Sequence, residues 1–452
     1  MPGDLARLRS TLEGLLGAGS VAAGAAAEPW AVDGLAPALA VAPGTQEEVA
    51  AVVAACAEAG AAFLPWGGGT AMGMGNPPAR LDVVIRLERL DRVSEYDPAN
   101  LCIAVEAGMP LARLQALVAE HRLVLPLDPP EGDRVTLGGL VAANQSGPSR
   151  HYHGTARDWV LGLRVVLPDG QPIRCGGRVI KNVTGYDMNK LFIRSCGTLG
   201  IVTEVTVKLL PMPEAAATVL GRFPDFEAAS GALEALAASF LLPEAVDLLE
   251  PEAARSLAPG LEVEPGGWLL AVAFAGSQAV VDRQVKDFQA MVAEAGGRPH
   301  ACLGDGARTA WARIRGVLDR PSLVPRMVVQ VAVPIGQGPA LLETVRFRAA
   351  HGDLKALAAA HAGSGVVRAA LTPLKAGTGS EAWAHLAEEA RALRAEAVAA
   401  GGSLVVLEAP PAVKALVDAW GPAGPGFSVM RRIKDAYDPQ GLCSPGRFVG
   451  GI

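Results

Sequence analysis

The residues from Pro65 to Asn76 form the segment with the clearest potential for binding chemistry. Five glycines fall within it, in the run PWGGGTAMGMGN. Glycine has no Cβ atom, so this backbone can adopt positive φ angles and lie directly against a ligand. Successive exposed N–H groups in such a turn form a concave anion site that suits a diphosphate. Taken alone, the pattern is equally typical of a glycine-rich surface turn.

Two common nucleotide-binding patterns are absent from this loop. It lacks the Gly-Lys-Ser/Thr ending of a P-loop, and its glycines do not have the GxGxxG spacing of a Rossmann turn. A diphosphate bound here must therefore be held by a different fold.

Composition narrows the class of protein. The chain has 452 residues, half of them apolar, and a net charge of −6. This length predicts two or three domains, and the acidic balance argues against nucleic-acid binding. No apolar run is long enough to span a membrane, and the first residues do not resemble a signal peptide. The six cysteines lack metal-like spacing, so we expect a cytoplasmic protein.

Periodicity predicts helices and strands that could position the loop. Thr45 and Glu48 have the spacing of a helix N-cap, and residues 17–27 are expected to be a small-residue linker. After Pro213, longer helices alternate with isolated strands, and residues 214–298 and 326–408 predict a weak internal repeat. The helices expected there are Phe226–Phe240, Val280–Ala295, Ala340–Ala349 and Glu381–Ala400, and the strands are Trp268–Phe274, Met327–Val333, Val366–Leu371 and Ser403–Leu407.

The most specific signal is the run KNVTGYDMNKLFIRSCGTLGIVTE at residues 181–204. It closely resembles a segment of the FAD-binding p-cresol methylhydroxylase (PCMH)/vanillyl-alcohol oxidase superfamily, and more narrowly of the flavoprotein subunits of glycolate oxidase and D-lactate dehydrogenases. Four further segments resemble that family in its own order: residues 65–70, 136–147, 153–162 and 438–447. The resemblance covers about residues 30–213 and the last two dozen.

The resemblance implies an α+β protein: a two-lobed PCMH-type FAD-binding domain and an α+β, ferredoxin-like cap domain. The implied organisation is an N-terminal helix and linker at 1–29, the FAD domain at 30–213, the cap at 214–428, and a C-terminal segment at 429–452 that returns to the FAD domain. No histidine lies between Pro65 and Asn76, so noncovalent FAD is expected. The implied FAD contacts are Trp66, Gly67, Gly68, Gly69, Thr70, Ala71, Pro126, Thr136, Gly138, Gly139, Ala143, Ser146, Gly147, Gly154, Gly200, Ile201 and Val202.

The cap departs from the catalytic members of that family, which carry an HxGDGNxH motif and a later GEHG that hold a divalent metal. The matching run here is HAGSGVVR, from His361 to Arg368, and no GEHG follows. With so few ligands left, we expect no metal, and we expect His361 to lie at a helix end. Cys196 is expected to be a small buried hydrophobe. The loss of the metal motif is more similar to the E subunit of bacterial glycolate oxidase.

The resemblance implies an FAD-dependent oxidoreductase subunit that acts on a small 2-hydroxy acid. Arg326, Arg368 and Lys375 are candidates for binding its carboxylate, the alternative being that each is a surface charge. The implied partners are a catalytic FAD-containing paralogue and an iron–sulfur subunit, with peripheral membrane association through them. The alternative is a non-catalytic FAD-binding scaffold, and a more remote class is a nucleotide-using transferase.

Overall fold

The computed structural model describes residues 2–179, 185–257, 264–318, 326–374 and 379–452. The chain divides into two compact units. The first unit comprises Met1–Gln145, Thr155–Pro211 and Asp418–Ile452, and the second comprises Ser146–Gly154 and Met212–Val417. The sequence predicted that residues 146–154 belong to the FAD domain and residues 418–428 to the cap. The structure instead groups residues 146–154 with the second unit and residues 418–428 with the first. Among the described residues, no helix is long and apolar enough to span a membrane.

The helices and strands of the described residues are numbered in chain order. The α-helices are α1 (Pro2–Leu16), α2 (Gln46–Glu58), α3 (Leu111–Ala119), α4 (Leu137–Ala143), α5 (Arg150–His153), α6 (Ala156–Trp159), α7 (Asn189–Phe192), α8 (Phe226–Ala237), α9 (Pro251–Ser256), α10 (Gln278–Glu294), α11 (Asp305–Arg315), α12 (Gly338–His351), α13 (Ser380–Ala399), α14 (Pro411–Lys414) and α15 (Phe427–Tyr437). The strands are β1 (Val21–Ala23), β2 (Leu39–Val41), β3 (Phe63–Trp66), β4 (Val83–Arg86), β5 (Val93–Asp97), β6 (Cys102–Glu106), β7 (Leu123–Val124), β8 (Val160–Val166), β9 (Pro172–Gly176), β10 (Ile201–Lys208), β11 (Leu210–Pro211), β12 (Ala215–Phe223), β13 (Ala245–Leu249), β14 (Trp268–Gly276), β15 (Arg298–Leu303), β16 (Met327–Ala332), β17 (Leu354–His361), β18 (Val366–Pro373) and β19 (Ser403–Glu408).

The first unit contains two main sheets. One has the order β1-β2-β4-β3, in which β2, β4 and β3 run parallel and β1 is antiparallel to β2. The other is antiparallel, with the order β5-β6-β10-β8-β9. One expectation about residues 17–27 is wrong. They were expected to be a linker, but Val21–Ala23 within them form the strand β1. Val21 pairs with Val41, so sheet pairing orders a segment whose small residues alone gave no strand signal.

Helix α2 shows how local sequence signals fix the β2-β4-β3 sheet. The Thr45 hydroxyl accepts a hydrogen bond from the Glu48 N–H at 3.1 Å, which confirms the predicted N-cap. The Glu48 carboxylate accepts one from the Gly44 N–H at 2.6 Å, so the cap is held from both sides. The buried face of α2 consists of Val49, Val52, Val53 and Cys56, at helical spacing. These residues share a hydrophobic core with residues of β2, β3 and β4.

The second unit is built from two copies of one topology. Apart from the short helix α9 between β13 and β14, the order β12-α8-β13-β14-α10-β15 and the order β16-α12-β17-β18-α13-β19 are both βαββαβ, the ferredoxin-like arrangement. Their strands form one eight-stranded sheet in the order β15-β12-β14-β13-β17-β18-β16-β19. The passages expected to be a repeat therefore have the same topology, and β13 pairs with β17 where they meet.

His361 corrects one expectation about the second unit. It was expected at a helix end, but it is the last residue of β17. The run LKALAAAH has strong helix formers, yet it pairs antiparallel with β18 along its length and with β13 at its end. Tertiary pairing overrides local propensity here. The strand places His361 on the sheet, opposite Asp247.

The C-terminal segment packs within the first unit around a buried ion pair. The Lys434 ammonium lies 2.6 Å from the Asp438 carboxylate and also donates to the carbonyls of Thr198 and Cys443. The Phe63 N–H donates to the Leu442 carbonyl, and the Ser444 N–H donates to the Phe63 carbonyl. The end of the chain is thereby fixed beside β3, and it reaches the glycine loop that follows that strand.

Candidate functional site

The glycine loop begins where β3 ends and lies directly on the backbone of residues 134–136. A Cβ atom on Gly68 would come within 1.7 Å of the Arg134 carbonyl oxygen, and one on Gly67 within 2.3 Å of the Thr136 hydroxyl. Gly69 has a φ of 77°, a left-handed angle that favours glycine. The loop can therefore occupy this place only without side chains at these positions.

The N–H groups of this loop are available to a ligand. None of those from Gly67 to Ala71 donates a hydrogen bond to another of the described residues. Buried or half-buried backbone N–H groups are almost always paired, so a run of free donors needs an acceptor. A diphosphate carries several anionic oxygens, and the donors present here suit it. The chemistry of the loop thus fits the group that the sequence predicts.

Helix α4 forms the wall that faces the glycine loop. Its N-cap is Thr136, whose hydroxyl accepts a hydrogen bond from the Gly139 N–H at 3.3 Å. A Cβ atom on Gly138 would lie 2.5 Å from the Ala107 side chain, so this glycine is needed for packing against the neighbouring turn. The helix otherwise presents small residues, including Ala142 and Ala143, which leave room beside the loop.

The loop and α4 enclose a cleft within the first unit. The volume of this cleft is about 80 Å³, which is smaller than the roughly 300–1,000 Å³ of a whole small-molecule site. Its lining residues are Leu64, Pro65, Gly67, Gly68, Gly69, Thr70, Ala71, Met72, Met74, Thr136, Gly139, Ala142, Ala143, Cys196, Gly197 and Arg447. Small and apolar residues dominate, so most polar groups that could meet a ligand belong to the main chain.

Arg447 holds the far end of the glycine loop. Its guanidinium donates to the carbonyls of Met72 at 2.7 Å, Met74 at 2.6 Å and Asn76 at 3.2 Å, and it pairs with Asp33 at 3.1 Å. Its side chain is almost fully buried, and this burial lowers the pKa of the guanidinium. Arg447 therefore fixes three loop carbonyls through one rigid fork of donors.

Cys196 lines the cleft beside Arg447. Burial raises the pKa of its thiol to about 11, although the nearby cations of Arg447 and Arg194 act in the opposite direction. A thiol with this pKa stays protonated near neutral pH and is a weak nucleophile. Cys196 therefore lines the cleft as a neutral thiol and does not supply a thiolate nucleophile.

The structure brings together part of the predicted set of FAD contacts. Eight of those residues line the cleft: Gly67, Gly68, Gly69, Thr70, Ala71, Thr136, Gly139 and Ala143. Six others belong to the first unit without lining it: Trp66, Pro126, Gly138, Gly200, Ile201 and Val202. Ser146, Gly147 and Gly154 belong to the second unit.

Sequence reasoning missed several cleft residues, most notably Arg447. The ending Ser444–Arg447 was part of the family resemblance, but it suggested no contact with the glycine loop. Ala142, Met72 and Met74 carried no signal beyond their position in the predicted segments. Within the run 181–204, residues 181–184 lie outside the described residues.

A polar group of side chains lies on one face of the sheet in the second unit. Asp247 on β13 is opposite His361 on β17, and Arg368 on β18 is opposite Ala359. Ala359 and His361 are two positions apart on one strand, so all these side chains point to the same face. Asp247, His361 and Arg368 are each less than a tenth exposed. We refer to Asp247, His361 and Arg368 as the polar row.

The three predicted carboxylate-binding candidates have different positions. Arg368 belongs to the polar row and is buried, so the alternative of a surface charge is wrong for this residue. Arg326 is largely buried and lies 3.6 Å from the Glu408 carboxylate. Lys375 lies outside the described residues.

The described residues contain no group of three or more His, Cys, Asp or Glu side chains that could hold a metal ion. His361 and Asp247 pair with each other, and together they would offer two ligands. Structural and catalytic zinc sites use three or four protein ligands, so this pair falls short of one.

Models of two protein families match most of this chain. Residues 37–176 match an FAD binding domain, and residues 212–406 and 413–448 match the C-terminal domain of FAD-linked oxidases. Among solved structures, p-cresol methylhydroxylase with substrate bound superposes with a TM-score of 0.77 at 18% identity, over 99% of this chain and 97% of that one. At this identity the likeness establishes the PCMH-type α+β fold alone.

Curated relatives match the chain at higher identity. An uncharacterized FAD-linked oxidoreductase of Mycobacterium tuberculosis is 32% identical over 436 residues, which make up 92% of this chain and 91% of the relative. Glycolate oxidase subunit GlcD of Bacillus subtilis is 34% identical over 46% of this chain and 45% of its own length. Glycolate oxidase subunit GlcE of Escherichia coli is 39% identical over 31% of this chain and 40% of its own length.

Proposed function

This chain belongs to the FAD-linked oxidases, and from that membership we propose that it takes part in the oxidation of a small 2-hydroxy acid, with electrons passing through FAD to a partner. It is an FAD-linked oxidoreductase related to the glycolate oxidase subunits GlcD and GlcE. Those two names support glycolate, and relatives named D-lactate dehydrogenase support D-lactate. The second candidate is a non-catalytic FAD-binding scaffold in such a complex, which the missing metal motif favours.

The cofactor would be held by main-chain donors of the first unit. The N–H groups of Gly67 to Ala71 would donate to the diphosphate, and α4 would leave room for it beside Ala142 and Ala143. The protein would supply binding and orientation, whereas bound FAD would supply the acceptor for a hydride. Arg447 would keep the loop carbonyls turned away from the phosphate oxygens, because its guanidinium engages those of Met72, Met74 and Asn76.

The buried guanidinium of Arg368 is the observation that carries the substrate class. A guanidinium binds a carboxylate through two parallel hydrogen bonds, and the strength of these bonds rises in a desolvated setting. Arg368 lies on the sheet face that also carries Asp247 and His361. An anion with an adjacent hydroxyl group, such as a 2-hydroxy acid, has the functional groups that this polar row could bind.

The proposed setting is a cytoplasmic complex. Because two relatives are named as subunits, we infer a second FAD-containing subunit as a partner. The cysteines among the described residues are free thiols and do not cluster. Electrons would therefore leave through an iron–sulfur subunit rather than through a cluster in this chain. Association with a membrane would be peripheral and would depend on those partners.

Anaerobic titration of the purified protein tests the proposed chemistry. We expect a yellow protein whose flavin absorbance bleaches on addition of glycolate or D-lactate, whereas acetate, which lacks the hydroxyl, leaves it unchanged. The variant R368M is expected to bind the substrate about 10- to 100-fold more weakly, because charge-assisted hydrogen bonds are worth about 1.5–3 kcal/mol. The variant R283M, at an exposed arginine of the same unit, serves as the control and should bind it normally. A flavin that no 2-hydroxy acid bleaches would support the scaffold.

A further inference from the structure

We propose that one face of the sheet β5-β6-β10-β8-β9 carries a binding site for a phosphate-like oxyanion, separate from the glycine loop. The site is a cavity of about 120 Å³ within the first unit, and Arg164, Arg174 and Arg178 line it. This volume is about four times the roughly 30 Å³ that a water molecule takes in the liquid, which leaves room for one tetrahedral oxyanion. We refer to this space as the arginine cavity.

Strand register places the charges of this sheet face in one row. Glu204 on β10 stands opposite Arg164 on β8, and Arg164 stands opposite Arg174 on β9. Residues directly opposite each other in an antiparallel pair point to the same face of the sheet. Like charges in that position repel, so the pairing of Arg164 with Arg174 is unfavourable unless an anion lies between them.

The carboxylates that line the arginine cavity neutralise two of its guanidinium groups. Glu204 lies 3.0 Å from Nε of Arg164, and Glu95 pairs with Arg178. No described residue forms an ion pair with Arg174, whose side chain is exposed on the edge strand β9. The cavity therefore keeps one positive charge that no carboxylate balances.

The acidic end of the same row contains a counter-ion supplied by the protein. Glu106 on β6 stands opposite Glu204, so this end also has like charges across a strand pair. There, the Arg92 guanidinium donates to both oxygens of Glu106, at 3.0 and 2.8 Å. The basic end has no such partner for Arg174, and we infer that an anion from solution takes this place.

The donors around the arginine cavity suit an oxyanion with several oxygens. A guanidinium presents several N–H donors in a planar fork, so Arg164 and Arg178 keep donors after each has paired with one carboxylate. Ser94 and Thr206 add hydroxyl groups to the same lining. Phosphate and sulfate fit this arrangement, because arginine binds their oxygens through two parallel hydrogen bonds. A simple carboxylate has fewer oxygens and would leave more of these donors unused.

Titration with inorganic phosphate at constant ionic strength, in the presence of excess FAD, tests this inference. We expect one saturable phosphate site, and we expect acetate to bind there at least about tenfold more weakly. The variant R174M should bind phosphate about tenfold more weakly or worse, because it loses a charge-assisted fork. R7M, at an exposed arginine of α1 in the same unit, should bind phosphate as wild type does. The absence of saturable binding, or an R174M affinity equal to that of wild type, would overturn the proposal.

The urea midpoint gives a second measurement that does not depend on the titration. Phosphate should raise the midpoint of wild type, because a ligand that binds only the folded state stabilises that state. Without phosphate, R174M should have at least the wild-type midpoint, since the substitution removes the repulsion between two arginines. Phosphate should then leave the R174M midpoint unchanged. Equal shifts in wild type and R174M would contradict the site.

Two sources of the phosphate group are distinguished by a sedimentation assay with lipid vesicles. Vesicles of phosphatidylcholine that contain phosphatidic acid present the group on a lipid, whereas inorganic phosphate presents it in solution. Co-sedimentation of wild type but not of R174M would assign the site to a lipid headgroup. Phosphate binding without co-sedimentation would assign it to a soluble phosphate compound. Equal co-sedimentation of wild type and R174M, with no phosphate binding, would refute the site.

Discussion

Replacement of Arg447 by methionine is expected to release FAD from the protein and to lower the free energy of unfolding by about 3–5 kcal/mol. Breaking a buried ion pair by removing one partner costs this much because the other charge stays buried. In this variant, the groups that lose their hydrogen-bond donor are the Asp33 carboxylate and the carbonyls of Met72, Met74 and Asn76. Methionine fills a similar volume, so the loss reports the lost donors rather than a cavity.

Two measurements check the Arg447 prediction. One is the flavin absorbance that the variant retains after gel filtration, and the other is its urea midpoint. R432M is the control, because Arg432 is an exposed arginine in the same C-terminal segment, and surface substitutions usually change stability by less than about 0.5 kcal/mol. If the R447M protein keeps its flavin and the urea midpoint of wild type, the Arg447 guanidinium does not hold the glycine loop in place.

Substitution of Gly68 by alanine is expected to weaken FAD binding about 100-fold or more while leaving most of the fold intact. The new Cβ would sit 1.7 Å from the Arg134 carbonyl oxygen, which is backbone and has no flexible end to move aside. The loop must therefore shift, and its N–H groups lose their alignment. Each charge-assisted hydrogen bond lost from a diphosphate costs about 1.5 kcal/mol or more. The loss of two such bonds therefore accounts for an FAD affinity that is about 100-fold weaker.

The affinity of the flavin-free protein for FAD, measured by fluorescence titration, tests the Gly68 prediction. The matched control is G14A, because a Cβ on Gly14 meets no atom within 4 Å and the residue lies inside α1. Alanine there should slightly stabilise the helix and leave the FAD affinity unchanged. If G68A binds FAD as tightly as wild type does, the loop either lies elsewhere in the bound protein or does not contact the cofactor.

Local sequence signals were sufficient for the elements around the glycine loop. The Thr45 cap and the glycine turn after β3 each follow from residue types within a few positions. The same reasoning located α8, α10, α12 and α13, whose apolar spacing is helical. It gave no strand at β17, because four alanines in Leu354–His361 favour a helix and only pairing with β13 and β18 makes them extended.

Long-range contacts explain why the rest of the site could not be predicted. Arg447 meets Asp33 and Met72 across more than 370 positions of sequence, and Asp247 meets His361 across 114. Side-chain pairs at such separations depend on the path of the whole chain, which one sequence does not reveal. The glycines were identifiable because their signal is local, whereas the arginine that secures them was not.

The most direct test of the glycine loop as the diphosphate site is a crystal structure of the FAD-loaded protein. We predict diphosphate oxygens within about 2.7–3.2 Å of N–H groups between Gly67 and Ala71, beside Ala142 and Ala143 of α4. A structure in which those N–H groups meet only water, with the diphosphate bound at another place, would contradict this assignment.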